Sequence, residues 1–190
     1  MKYYLDDLYA VKDIINNKQV LLSATDTIWS LVCDAMSEKA YAAMQKIKNP
    51  IKPSDHELMV NSISQLKKYI HDIHPRIETL LLYHEKPLSV YYRPAHFFPG
   101  HLKPRAGKLA FRITKDPMLS ELIDLLDRPL LTVPAVSKAN LIPCSYEDID
   151  EDIIDKCKYI FQTGRHLQQS MQAPVLVSFN QQGDLIFHRE

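Results

Sequence analysis

Leu21-Leu22-Ser23-Ala24-Thr25-Asp26-Thr27-Ile28-Trp29-Ser30-Leu31 is the stretch on which the reading of this 190-residue chain turns. Val20 to Ala24 is short and largely apolar, as a strand buried on both faces requires. Thr25-Asp26-Thr27 then breaks the pattern with three polar side chains, and Ile28 to Ala35 resumes it. Hydroxyls and a carboxylate therefore stand where a buried strand ends, the place where open α/β sheets bind ligands. Two threonines there can donate to a carboxylate or a phosphate. The same triplet can equally be a turn that satisfies its own backbone.

Outward from this stretch, helical and strand patterns alternate. Leu8, Val11, Ile14 and Ile15 recur at helical spacing behind Asp6-Asp7, predicting a first helix to about Asn17. Ser37 to Ile47 predicts a second, closed by Pro50 and Pro53, since proline lacks the amide and holds its predecessor extended. Further helices are predicted over Ser64–His71, Pro75–Tyr83 and Pro117–Leu126, the last two with proline in the first turn. Strands are predicted over Leu58–Asn61, Leu88–Arg93, Lys108–Thr114, Pro129–Val133, Lys158–Gln162, Val175–Phe179 and Leu185–His188. Tyr146 to Cys157 is amphipathic through Ile149, Ile153 and Ile154, and its acids read as a solvated face. The fold class is α/β (α+β): one domain over 1–190, a twisted mixed parallel/antiparallel sheet with flanking helices.

Hydrophobic residues make up 46% of the chain and charged residues 24%, which suits one globular core and rules out collagen-like, coiled-coil and wholly disordered chains. Lys plus Arg equals Asp plus Glu at 23 each, so nucleic-acid binding cannot rest on overall charge. The neutral sum hides two opposed blocks. His84 to Lys115 carries seven Lys/Arg against one acid, and Ser145 to Asp155 carries six acids and no base. The three cysteines, Cys33, Cys144 and Cys157, form no CxxC pair, so neither a disulfide framework nor a metal site is expected. The N-terminus lacks a signal-peptide pattern and no apolar run reaches the ~20 residues of a bilayer span, which predicts a cytoplasmic protein without a membrane partner.

The order of these segments resembles the YrdC/YciO-like superfamily, whose active members are L-threonylcarbamoyladenylate synthases. The superfamily opening Pro-Thr-Asp-Thr-[Val/Ile]-Tyr-Gly-Leu is matched by Ala24-Thr25-Asp26-Thr27-Ile28-Trp29-Ser30-Leu31, five of eight positions agreeing. Cys33-Asp34-Ala35, Lys46-Ile47-Lys48, Leu58-Met59-Val60, Pro87-Leu88-Ser89, Leu109-Ala110-Phe111-Arg112-Ile113, Pro129-Leu130-Leu131 and Phe161-Gln162-Thr163-Gly164 follow in the superfamily's order. The resemblance implies a concave, positively lined cleft. Active members bind ATP, L-threonine and bicarbonate there, forming threonylcarbamoyl-AMP and pyrophosphate for tRNA threonylcarbamoyladenosine modification. It also implies binding of tRNA or double-stranded RNA.

The chain departs from the pattern at reactive positions. The superfamily's Lys-x-Arg falls on Lys48-Asn49-Pro50, keeping the lysine and losing the arginine, and its Ser-Ala-Asn falls on Pro134-Ala135-Val136. Its second lysine falls on Ser54, with Lys52 as a neighbouring substitute, and Ser137 with Asn140 could replace the lost hydroxyl and amide after a one-turn shift. Lysine or proline cannot reproduce the planar fork of arginine on phosphate.

The expected anion site is therefore Thr25, Thr27, Lys48, Lys52 and Arg112, and the expected RNA contacts are Arg93, Lys103, Arg105 and Lys108 in a loop that interleaves cations with aromatics. No cofactor is expected to be held tightly. ATP with magnesium would arrive as substrate, and the expected partners are a nucleotide and tRNA or double-stranded RNA. The favoured function is nucleotide or RNA binding in the cleft with synthase chemistry weakened or lost, which leaves enzyme status open. A working synthase and a non-catalytic protein-interaction module are the alternatives.

Overall fold

The computed structural model describes residues 5–95, 98–102, 107–136, 141–166, 174–180 and 182–189. Among them, nine strands form one sheet. In chain order these are β1 (Leu21–Ser23), β2 (Ser30–Asp34), β3 (Glu57–Val60), β4 (Leu88–Tyr92), β5 (Leu109–Ile113), β6 (Leu130–Pro134), β7 (Tyr159–Ile160), β8 (Val175–Phe179) and β9 (Leu185–Arg189). Their spatial order is β7-β1-β2-β6-β3-β5-β4-β8-β9. The pairs β1/β7, β3/β5 and β4/β8 are parallel and the other five antiparallel, which is the mixed sheet anticipated.

The helices are α1 (Leu8–Asn16), α2 (Glu38–Ile47), α3 (Ile63–Tyr69), α4 (Pro75–Tyr83), α5 (Pro117–Leu126) and α6 (Glu151–Lys156). Each start has a local cause. Asp7, Ser37, Ser62, His74 and Asp116 accept hydrogen bonds from first-turn amides of α1 to α5, and Pro75 and Pro117 bring no amide that would need a partner. The predicted Tyr146–Cys157 segment divides into a 3-10 turn (Tyr146–Asp148) and the short α6. Asp148 folds back to accept from the amides of Cys144 and Ser145, which ends the first piece before Asp150 begins the second.

Strand alternation sorts the side chains between two layers. One face carries Leu22, Leu31, Cys33, Leu58, Val90, Phe111 and Leu131 and packs on α2, α3 and α4 through Ala40, Met44, Leu66 and Ile77. On the other face, α1 and α5 cover Leu21, Val32, Met59 and Leu130 with Val11, Ile15, Leu119, Leu122 and Ile123. These two helices cover only part of their face. Two residues further along each strand, alternation sets Ser23, Ser30, Thr132 and Glu57, with Arg112 and Ser89 beside them, and all but Glu57 are at most 4% exposed. At these positions the uncovered part of this face is polar, and it forms the floor of a cleft.

Candidate functional site

The turn between β1 and β2 makes one wall. The Thr25 hydroxyl donates to the Ile28 carbonyl at 2.8 Å and accepts from the amides of Thr27 and Ile28 at 3.1 and 3.3 Å. A threonine hydroxyl has a single proton. With that of Thr25 committed to Ile28, the 3.0 Å contact between the two threonine hydroxyls makes Thr27 the donor of the pair. The self-satisfied turn thus accounts for both hydroxyl protons, and the expected donation to a ligand anion is not available in this arrangement. Thr27 keeps acceptor capacity and lines an inner cavity of about 190 Å³.

Arg112 is 2% exposed. Its Nε donates to Glu57 Oε2 at 2.8 Å, its Nη1 donates to Asp26 Oδ1, and Ser89 Oγ donates to the other oxygen of Glu57. Burial works against the charge, but Glu57 and Asp26 outweigh it and hold the guanidinium above the usual arginine range. One cation against two carboxylates leaves this cluster net negative. Arg112, expected as a ligand cation or as a solvent-facing strand position, is instead the core of an ion-pair network that ties the Thr25–Thr27 turn to the sheet. Asp26 also accepts from the amide of Lys115.

Lys48 ends α2, and its Nζ donates to the Pro134 carbonyl at 2.8 Å and lies 3.8 Å from Asp55. Burial lowers its pKa, and Asp55 partly offsets this. Lys48 and Lys52 line a cavity of about 460 Å³ together with Lys156, Asp150 and Asp152. Asp55, Pro134 and Val136 line both this cavity and the inner one, so the two are neighbours. The structure thus brings Thr27, Lys48 and Lys52 to one pair of cavities, sets Thr25 behind them and removes Arg112 from service.

Among the described residues, the charged lining of the inner cavity is Asp55 and Glu57 with no Lys or Arg, which differs from the positive lining that the resemblance implied. Both acids escaped the sequence reading. Asp26 stood in the stretch first singled out, but its partner Arg112 lies 86 positions away. Among the described residues, no group of three His, Cys, Asp or Glu is placed to hold a metal ion.

Of the expected RNA contacts, Arg93 and Lys108 line one further cavity, of about 640 Å³, with Tyr91. Lys103 and Arg105 lie outside the described residues, as do Ser137 and Asn140. No helix among the described residues is long and apolar enough to cross a membrane.

A mixed sheet with helices on both faces, one of them only half covered, and a polar cleft on that face define a single-sheet α/β protein. The Sua5/YciO/YrdC family model, described as "Telomere recombination", matches residues 13–186, and the chain belongs to this family. Threonylcarbamoyl-AMP synthase of Enterobacter sp. (strain 638) is 26% identical over 145 residues, covering 75% of this chain and 76% of that protein. The Shigella flexneri protein of the same name is 28% identical over 148 residues, with the same coverage. Among solved structures, Escherichia coli YciO superposes with a TM-score of 0.80 at 15% identity, over 96% of this chain and 88% of YciO. P. abyssi Sua5 complexed with L-threonine gives 0.79 at 19% identity over 90% of this chain. The chain spans 50% of that Sua5 structure.

Proposed function

We propose that the chain binds an adenine nucleotide, ATP or AMP, in the paired cavities beside Lys48, and that the threonylcarbamoyl-AMP-forming chemistry named for its relatives is weakened in it. The observation that carries this reading is the lining where the two cavities meet. Pro134 and Val136 stand there, and neither side chain can donate or accept a hydrogen bond. Lys48 supplies positive charge from a partly buried position, where a charge-assisted contact is stronger than in bulk water. Chemistry that expels pyrophosphate gathers negative charge, and each absent charged hydrogen bond removes ~1.5 to 3 kcal/mol. Magnesium enters this reading with the triphosphate as part of the substrate.

Calorimetric titration of ATP, AMP and adenosine into the wild type and Lys48→Met tests the binding. The expected result is that both nucleotides bind and adenosine binds more weakly. Lys48→Met, folded as judged by circular dichroism, loses about tenfold or more of the nucleotide affinity, the size of one charge-assisted contact. Absence of nucleotide binding, or full affinity in Lys48→Met, overturns the reading.

A working synthase is the second reading, favoured by the 76% coverage of relatives that carry that name. It requires pyrophosphate release that depends on ATP, L-threonine and bicarbonate together.

A further inference from the structure

The register of β4 against β5 pairs Ser89 with Arg112, Tyr91 with Ala110 and Tyr92 with Leu109. Continued by one residue, it sets Arg93 opposite Lys108. Alternation puts both on the face of Tyr91 and Ala110, which is the cleft face. Like charges directly opposite one another across a ladder repel. Two other cations of the cleft are compensated, Arg112 by two carboxylates and Lys48 by Asp55 and a carbonyl. Arg93 and Lys108 make no ion pair and no side-chain hydrogen bond among the described residues. Asp72 lines the same cavity without pairing with either.

Two uncompensated cations on one cavity wall are the arrangement that a doubly charged oxyanion would relieve. Beside them, Tyr91 packs with Ala110 and Leu176 as a small apolar cluster. Ala110 and Leu176 line the inner cavity and Tyr91 lines the 640 Å³ cavity of Arg93 and Lys108, so this cluster is a shelf between the two. From Ala110 to Lys108 is two residues of strand, about 7 Å, a gap that the long Arg93 and Lys108 side chains can close towards a phosphate whose ring rests on the shelf. Lys48 is held at Pro134 of β6, three strands across the sheet from β4, so the two cations are distinct from Lys48, although the shelf borders the inner of the two cavities proposed above for the nucleotide.

We propose that Arg93 and Lys108 form a second anion site that takes a small phosphate monoester bearing an aromatic ring, with the phosphate between the two cations and the ring on the Tyr91 shelf.

Phenyl phosphate, with phenol and inorganic phosphate as partial ligands, probes the site by calorimetry and by thermal denaturation of the full chain. The variants are Arg93→Gln/Lys108→Gln and Lys48→Met. Phenyl phosphate should bind more tightly than phenol or phosphate and raise the melting temperature of the wild type and of Lys48→Met. The double variant should lose tenfold or more of that affinity. Without ligand, it should melt at or above the wild-type temperature, because a repulsion has been removed. Equal affinity in the double variant and the wild type overturns the proposal, as does phenol binding as tightly as phenyl phosphate. So does an RNA duplex that binds through Arg93 and Lys108 when phenyl phosphate does not. Loss of binding in Lys48→Met alone would move the phosphate to the nucleotide cavity and also overturn it.

Discussion

Arg112 and Glu57 meet across neighbouring parallel strands at 2.8 Å, the guanidinium 1% and the carboxylate 15% exposed. Asp26 takes a second edge of the same guanidinium. The three groups hold the β1–β2 turn against β3 and β5, so the wall of the cleft is positioned by an ion pair formed between distant parts of the chain. Removing the shared cation strands two carboxylates. Arg112→Met is therefore expected to cost about 3 to 5 kcal/mol, read from urea denaturation at neutral pH. Glu57→Gln, which keeps a polar partner for Ser89 and Arg112, should cost less. A loss below about 1 kcal/mol in Arg112→Met would show that the network does not hold the turn.

Asp6 ties the start of the chain to the segment after β7. It accepts from Tyr159 Oη at 2.8 Å, from the amides of Gln162 and Thr163 at 2.9 and 2.8 Å, and from Thr163 Oγ1 at 2.6 Å. Burial raises its pKa, but these four donors outweigh it and leave the carboxyl below its usual value. The folded form thus favours the charged state. The resulting stability is present above the ordinary Asp pKa of about 3.9 and is lost as pH falls through the lower folded value. Asp6→Asn should be less stable at pH 7, and the difference from wild type should shrink on acidification below pH 4. Parallel curves would contradict this.

His56 is 3% exposed, and its Nε2 lies 3.0 Å from the Tyr41 hydroxyl, while its Nδ1 has no hydrogen-bond partner among the described residues. Burial lowers its pKa, Asp55 opposes the shift and His101 adds to it. The folded state prefers the neutral ring. Its contribution is complete above about pH 6.5, the ordinary histidine value, and falls as pH drops through the depressed one. His56→Phe should therefore lose less stability than wild type between pH 7.5 and pH 5.5, measured by denaturant midpoint. An unchanged pH slope would sink this assignment.

Much of the scaffold was legible because its signals are local. Pro75 followed by Ile77, Leu80 and Leu81 marks α4 to the residue, and the alternation of Leu109, Phe111 and Ile113 marks which face of β5 enters the core. The charge block from His84 to Lys115 likewise led to Arg93 and Lys108, which share a cavity. The chemistry of the cleft was less legible. An arginine in an apolar-polar strand reads the same whether it faces solvent, a ligand or a carboxylate. What decides it is Glu57, 55 positions away, and Asp26, 86 away. Thr25 and Thr27 read as donors until the Ile28 carbonyl claims the proton.

If the cleft binds a nucleotide and has lost catalytic strength at Pro134 and Val136, as proposed, hydrogen-bonding side chains placed there should raise turnover. Pyrophosphate release from ATP, L-threonine and bicarbonate, compared between the wild type and Pro134→Ser/Val136→Asn, tests it most directly. The account predicts wild-type release close to the rate without threonine and at least a tenfold gain in the double variant. Rapid wild-type release that requires all three substrates, with no gain in the variant, would contradict it.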